Sequence, residues 1–385
     1  MLLPLSYSWR NLLARKGSTA VTLLGVAVSV MVYVVISATA DGIARVATAT
    51  GSPENLIVLS KGANSEDSSR LDRGSVAILS SLPGIARDPR GETLASAELL
   101  LAHAVPKKGA SADDFGSSRY TSVRGVTPRA LEVHPGVRLI EGRPPAAAGE
   151  AMIGRLLPSE LGDVGLGDTL RFGGSAHTIV GVFEARGQIF EGEIWLDLSH
   201  LQNEIDRREV SSVVLRVADP RQMPAVLDFI AASKRVGVEV KPEPDYYADI
   251  QRASGAFVYL GNLIGMLMGV GAVVTGMNTL YAAMSRRVRE MGTLRALGFG
   301  RRNVGAALLL ESILLGVLGG AVGLGLAALF DGFAMNLVGF AFELDVQAAT
   351  AMRGAALAFA IGLLGGLLPA RAASRLEIVE ALRHM

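Results

Sequence analysis

Four apolar stretches decide what this chain can fold into. Gly17–Ala40 carries no charged residue in 24 positions, and Ala253–Ser285 none in 33. Val304–Phe330 is interrupted only by Glu311, and Gly354–Ala370 gives 17 uncharged residues between Arg353 and Arg371. A helix needs about 20 apolar residues to cross a hydrocarbon core roughly 30 Å thick. In that core each backbone amide must find its partner within the segment, so isolated runs of this kind cross as helices. The chain reads as four transmembrane helices. Ala38-Thr39-Ala40 has the small-x-small pattern of a cleavage site. The run before it is far longer than the apolar region of a cleaved leader, about 7–15 residues, so the first helix reads as a retained anchor.

Composition agrees and excludes alternatives. Of 385 residues 50% are hydrophobic and 19% charged, with a mean hydropathy of +0.38. Soluble domains carry about a quarter charged residues. The formal net charge of +1 excludes a strongly basic nucleic-acid binder and an acidic disordered chain. With no cysteine, disulfides, Cys-ligated metals and thiol catalysis are excluded. The five histidines (His103, His134, His177, His200 and His384) form no short ligand motif, so no metal site is expected.

Charge placement orients the helices. The loop 286–302 holds six arginines against Glu290, and residues 1–16 hold Arg10, Arg15 and Lys16 with no acid. The segment 41–252 has 24 basic and 29 acidic residues. Lys and Arg collect in short cytoplasmic loops, so both termini and 286–302 are read as cytoplasmic, and 41–252 and 331–353 as external. The expected order is an amphipathic segment 1–16, a first span 17–40 and an external α+β domain 41–252. A second span 253–284, a cytoplasmic segment 285–303, a third span 304–330, a short external loop 331–353, a fourth span 354–370 and a tail 371–385 follow.

Within the external domain, strand patterns appear at Asn55–Ser60, Ala97–Val105, Ser122–Val126, Thr178–Glu184, Glu193–Asp197, Ser212–Val217 and Val236–Val240. Met223, Val226, Leu227 and Ile230 carry a helical stripe after Pro220, and a second helix is expected over Ser75–Leu82 before Pro83-Gly84. The middle, about 95–200, is strand-rich and reads as a subdomain inserted into the strand–helix part. Lys107–Ser118 reads as a loop.

No Gly-Lys pair occurs anywhere, so no phosphate-cradling loop of the P-loop type exists in these residues, and no G-x-S-x-G elbow either. Catalytic residues, bound cofactors and an enzymatic activity are not expected. Glu311, alone among acids within the spans, reads first as a structural anchor near Arg301 and Arg302, and second as a proton or substrate group. Gly261, Gly265 and Gly269 recur every four residues, as do Gly316 and Gly320. Small residues at that spacing let helices approach closely in lipid, within the chain or against a second copy. The segment Ser285–Asn303 places Val288, Met291, Leu294 and Leu297 on a helical stripe among Arg286, Arg287, Arg289, Glu290 and Arg295, and Gly298 and Gly300 then stop it. An ordered apolar stripe exceeds what a charged collar requires and suits docking onto a partner protein.

Met277-Asn278-Thr279 followed by Ser285-Arg286-Arg287-Val288-Arg289-Glu290-Met291-Gly292-Thr293-Leu294-Arg295-Ala296-Leu297-Gly298 resembles the signature of MacB/FtsX-type ABC transporter permeases. Similar to that family as well are Trp9-Arg10-Asn11-Leu12 with Lys16-Gly17-Ser18-Thr19, Glu311-Ser312, Leu368-Pro369-Ala370-Arg371-Ala372-Ala373 and Glu380-Ala381-Leu382-Arg383. In the external domain Val123-Arg124-Gly125-Val126, Gly165–Leu170 and Thr178–Phe183 resemble its β-rich subdomain. The resemblance implies a type VII ABC system: two permease copies, as a homodimer or heterodimer, with a separate cytoplasmic ATPase that binds ATP and Mg. It also implies residues 285–303 as the ATPase-coupling segment, and a periplasmic adaptor or lipoprotein as a further partner. Without an ATP-binding domain in these residues, the chain is expected nearer the standalone permeases. Two functions follow from the resemblance: export or extraction of a lipoprotein, peptide or amphiphile, and transmembrane activation of an envelope enzyme without transport. A membrane-anchored binding module without an ATPase is the third reading, and the 285–303 segment argues against it.

Overall fold

The computed structural model describes residues 16–110, 118–232, 237–285, 288–297, 299–337 and 340–375. The expected N-terminal segment, most of the loop Lys107–Ser118, and Arg286, Arg287, Gly298 and the end of the tail lie outside the described residues. The chain divides into two compact units, one of residues 1–41, 256–333 and 344–385, the other of residues 42–255 and 334–343.

The first unit is helical. Helix α1 (Lys16–Ala49) is the first element among the described residues. The second unit then begins with β1 (Asn55–Ser60), α2 (Arg73–Ser80), β2 (Ala95–Pro106), β3 (Ser118–Val126), α3 (Ala130–Val133), β4 (Arg138–Gly142) and β5 (Glu150–Gly154). It continues with α4 (Leu157–Glu160), β6 (Thr169–Phe172), β7 (Ser175–Glu184), β8 (Glu193–Asp197), α5 (Leu198–Glu204), β9 (Ser212–Arg216), α6 (Met223–Ala232) and β10 (Val238–Pro242). The chain then enters α7 (Glu243–Ser285), α8 (Val288–Ala296) and α9 (Arg301–Ala328). A hairpin of β11 (Ala334–Leu337) and β12 (Phe340–Glu343) precedes the last helix, α10 (Ala348–Arg375).

Four of these helices are long and apolar enough to span a membrane, over Thr19–Ala49, Tyr259–Ala282, Arg301–Ala328 and Ala348–Arg375. They pack through small residues. A Cβ on Gly261 would meet Ile36 at 2.2 Å, and one on Gly265 would meet Tyr33 at 3.0 Å, so α7 lies close against α1. Between α9 and α10 a Cβ on Gly316 would lie 2.8 Å from the Cα of Gly362, and one on Gly320 would lie 2.3 Å from the Cβ of Ala358. Gly269 faces Leu357 at an ordinary 3.6 Å. Of the two readings of these five glycines, packing within the chain or against a second copy, each glycine faces a helix of its own chain here, as close backbone approach requires where lipid supplies no hydrophobic drive. Hydroxyls add glue. Thr22 bonds Thr279 at 3.0 Å, and Ser312 donates to the carbonyl of Gly362 at 2.6 Å. Near the ends of α1 and α10, Asp41 accepts from Thr350 at 2.8 Å and from Arg353.

Helices α1 and α7 outrun their apolar runs. At about 1.5 Å per residue, the 34 residues of α1 and 43 of α7 give about 51 and 65 Å, well beyond a hydrocarbon core of roughly 30 Å. The polar turns at the end of α1 and the start of α7 therefore belong with the second unit, in which Ile43, Val46 and Ala47 pack beside Ile189 and Ile250.

That unit is an α+β domain on one sheet ordered β10-β1-β9-β2-β3-β8-β5-β7-β4, with β6 on β7. β1 is antiparallel to both β9 and β10, which joins the strand–helix part, while β3 with β8 and β5 with β7 are parallel pairs in the β-rich part. β2 serves both, pairing with β9 through Ala95–Glu98 and with β3 from Leu99 on. Strands β1 and β8 occupy the spans read from the sequence, and the helical stripe at Met223–Ile230 is α6. Strands β4, β5 and β6 and the hairpin β11–β12 were not expected; the 331–353 stretch is only partly loop. Asp72 caps α2 by accepting the Ser75 amide at 2.7 Å, and Asp197 caps α5 through His200 at 3.0 Å.

Candidate functional site

Two features have the character of working parts. The first is the segment between α7 and α9, in the helical unit. α8 carries Arg289, Glu290, Met291, Leu294 and Arg295, and Gly300 precedes α9 with extended backbone, φ −66° and ψ 153°. Met291 is buried with Val304, Leu308, Ala370 and Ala373, so it fastens α8 to α9 and α10. The expectation that Met291 presents itself to a partner is therefore corrected. An apolar side chain beside an apolar helix surface gains more from intramolecular packing than from waiting in water for a partner. Leu297, the residue directly after the helix, is 73% exposed, while Glu290, Arg301 and Arg302 are exposed as well. An exposed leucine framed by arginines is what this segment offers to its surroundings. Glu311 lies buried in α9 beside Ser312, and it has a polar interaction there.

The second feature is a buried ionic network in the α+β domain that sequence reading missed. Arg124, on β3, is 1% exposed and is held by three carboxylates. Its Nη1 donates to Glu66 and Glu98 at 2.8 Å each, and its Nε and Nη2 fork onto Glu193 at 2.7 and 2.9 Å. Ser212 and Trp195 donate to Glu66 and Glu193 at 2.7 and 2.8 Å, and the guanidinium lies 5.3 Å from the centre of the Phe190 ring. His134 extends the network: its Nε2 meets Glu98 at 2.7 Å and its Nδ1 faces Glu243 at 3.6 Å. Glu243, the first residue of α7, also accepts from the Ser52 amide and the Asn55 side chain at 2.9 Å each. The network thus binds the first turn of α7 to β1, β2, β3 and β8.

Four carboxylates against Arg124 and His134 set the electrostatics. Burial raises the Glu98 carboxyl, but the charge and hydrogen bond of His134, then Arg124, outweigh it and hold Glu98 at about 2. Burial would lower His134, yet Glu98 and then Glu243 overcome that and hold it above its ordinary value. Glu243 is raised, burial outweighing His134 and its amide donors. His134 and Glu98 each favour the other's charged form, whereas burial favours the neutral form of Glu243. The arrangement is one of holding: the donors are aimed at carboxylates of the protein itself, and the Asn55 side chain also at the Val133 carbonyl. A sequence signal existed. Glu98 is a charged residue inside the apolar run Ala97–Ala102, and Arg124 sits between Val123 and Val126, positions tolerated inside a core only with a partner.

Comparison with known proteins places both features in one family. The model of the MacB-like periplasmic core domain matches residues 19–232, and that of the FtsX-like permease C-terminal domain matches 262–378. A macrolide export ATP-binding/permease protein MacB of Hyphomonas neptunium is 26% identical over 97% of this chain and 60% of its own length. The protein of the same name from Bdellovibrio bacteriovorus is 31% identical over 46% of this chain and 29% of its own length. The chain thus spans between 29% and 60% of the length of these two curated relatives. Among solved structures, the periplasmic region of MacB from Actinobacillus actinomycetemcomitans aligns at a TM-score of 0.39 with 11% identity, covering 51% of this chain and 92% of that one. With both family models matched along a chain of four candidate spans and an inserted α+β domain, this protein belongs to the MacB/FtsX family of ABC transporter permeases.

Proposed function

We propose that the chain is the non-catalytic membrane subunit of an ABC transporter that converts ATP hydrolysis in a cytoplasmic ATPase into rearrangement of its periplasmic domain, driving export or extraction of a substrate. In this reading it sits in the inner membrane with both termini and α8 in the cytoplasm, and pairs with a second permease copy. ATP and Mg are held by the ATPase, since no Gly-Lys loop exists in these residues to cradle phosphate. The names of the two MacB relatives, which pair export with an ATP-binding and permease protein, support the direction of transport.

The observation that carries the reading is the two-sided character of the α8 segment. Met291 is locked onto α9 and α10, while Leu297 stands out among arginines. A push on Leu297 therefore reaches two membrane helices through a packed core rather than through a loose loop. Helix-in-groove contacts rest on a few such apolar anchors.

The chain has no cysteine, which makes the test clean. Leu297→Cys carrying a photoactivatable maleimide should cross-link, in native membranes, to a protein with a Gly-Lys phosphate loop. The copurified pair should hydrolyse ATP while the chain alone does not. Cross-linking to lipid only, or robust hydrolysis by the chain alone, would overturn the assignment.

A further inference from the structure

Away from the ionic network, the α+β domain contains a second cluster of buried chemistry. His177 on β7 is fully buried at an inward-facing position, alternating with Thr178 outside and Ile179 inside. A core strand position of this kind normally takes an aliphatic residue, and neither ring nitrogen of His177 has a hydrogen-bond partner. Its ring stacks on Phe172 at 4.3 Å. Across from it, α5 presents His200 and Glu204 four residues apart, hence on one helix face. Glu204 is 5% exposed and its Oε2 is likewise unpartnered. Glu204 reaches over the glycine turn between β6 and β7, where a Cβ on Gly173 would meet its Oε1 at 2.6 Å.

The spacing of the three donors is informative. His177 Nε2 lies 3.4 Å from Glu204 Oε1, and His200 Nε2 lies 3.6 Å from Glu204 Oε2. One ligand atom from each residue can be chosen so that all lie within 4.8 Å of one another. Tetrahedral zinc with bonds near 2.0–2.2 Å places its ligand atoms about 3.4 Å apart. Ordinary hydrogen bonds would have drawn these atoms closer and turned their lone pairs toward protons.

We propose that His177, His200 and Glu204 form a binding site for a borderline divalent cation, Zn(II) above all, with the fourth position left to water. Two imidazoles and a carboxylate are a donor set that zinc accepts in sites of three protein ligands. The Gly149 amide donates to His200 Nε2 at 3.2 Å, a contact that the metal would replace. Bound there, the cation cross-links α5 to the β6–β7 hairpin and stiffens that part of the domain.

The test uses the full chain in detergent, purified on a tag free of histidine and stripped with EDTA. Zn(II) titrated against a chromophoric chelator should bind at one equivalent, and Co(II) should give the visible absorption of a tetrahedral site. Zn(II) should also raise the unfolding midpoint reported by Trp195, since a ligand for the native state stabilises it. Glu204→Gln and His200→Ala should each weaken binding at least about tenfold, as loss of even an outer-sphere partner costs about 10–100-fold. His103→Ala should leave it intact. Should either variant misfold, the other carries the comparison, with Trp195 emission reporting the fold. Absence of one-equivalent binding by the folded parent, or unchanged binding in folded His200→Ala and Glu204→Gln, would overturn the proposal.

Discussion

Replacing Arg124 by Met removes the cation on which three buried carboxylates converge, while keeping a flexible chain of similar length. Five nitrogen–oxygen contacts between 2.7 and 3.3 Å are lost at once. Hydrogen bonds to charged groups are worth about 1.5–3 kcal/mol each, but the five share one guanidinium and are not additive. The better guide is the cost of removing one partner of a buried ion pair, about 3–5 kcal/mol, most of it the penalty for stranding the other charge. Whole domains hold only about 5–15 kcal/mol, so Arg124→Met should leave the α+β domain marginal.

Trp195 provides the assay. It is fully buried and bonded to Glu193, and Trp9 is the chain's other tryptophan. In a Trp9→Phe background its emission reports unfolding of the α+β domain alone, and urea does so without screening charge. If stranded carboxylates cause the loss, Arg124→Met/Glu193→Gln should be more stable than additivity allows, by about 0.5–3 kcal/mol. The loss should also shrink on acidification, because a carboxylate without its cation takes up a proton readily. The parent sets the window. Glu98, depressed to about 2, contributes fully above its ordinary value of 4.5 and fades as pH falls toward 2. His134, raised, contributes fully below its ordinary 6.5 and fades as pH rises through its elevated value. Between those limits the parent is near its best, so a variant loss smaller at about pH 4.5 than at about pH 6 isolates the stranded charge. A loss under about 1 kcal/mol, or one equal at both pH values, would refute the reasoning.

Two further outcomes are expected. Gly320→Val should wedge α9 from α10, since its Cβ would fall 2.3 Å from that of Ala358, while Gly325→Val, with nothing within 4 Å, should be tolerated; overpacking of this kind costs about 1–3 kcal/mol, read as a lower melting temperature in detergent, and equal melting of the two variants would contradict it. Arg90→Cys, at an exposed position, should react with an impermeant maleimide offered from the periplasmic side, and Gly300→Cys only after lysis; the reverse pattern would invert the topology.

The membrane part was readable in the sequence because lipid leaves so few options. A charge-free run of 24 or 33 residues has one stable form there. Strands β1 and β8 were readable for a related reason, as short apolar runs bounded by polar turns. Strands β4, β5 and β6 are of four or five residues, and β4 is largely exposed, so no alternation rises above its surroundings. What the sequence concealed was everything set by partners far along the chain. Arg124 meets Glu66, Glu98 and Glu193 across 58, 26 and 69 positions, and Asn55 meets Glu243 across 188. No local window holds such pairs. Met291 shows the same limit from the apolar side, for a stripe states that a face will be covered but not by what. The glycines of α7 and α9 behaved likewise: their four-residue spacing announced a close approach, and only the fold shows that Ile36, Tyr33, Ala358 and Gly362 are what approaches. The strand members of the network, Glu98, Arg124 and Glu193, do share one local mark, an ionisable residue where a strand turns a face inward. Desolvation makes that position costly without a partner, so each such residue in a strand run asserts a distant counterpart. For a permease whose inserted domain begins and ends in membrane helices, those counterparts are worth seeking first where a helix enters the domain. Glu243, at the head of α7 and tied to Ser52, Asn55 and His134, is such a place.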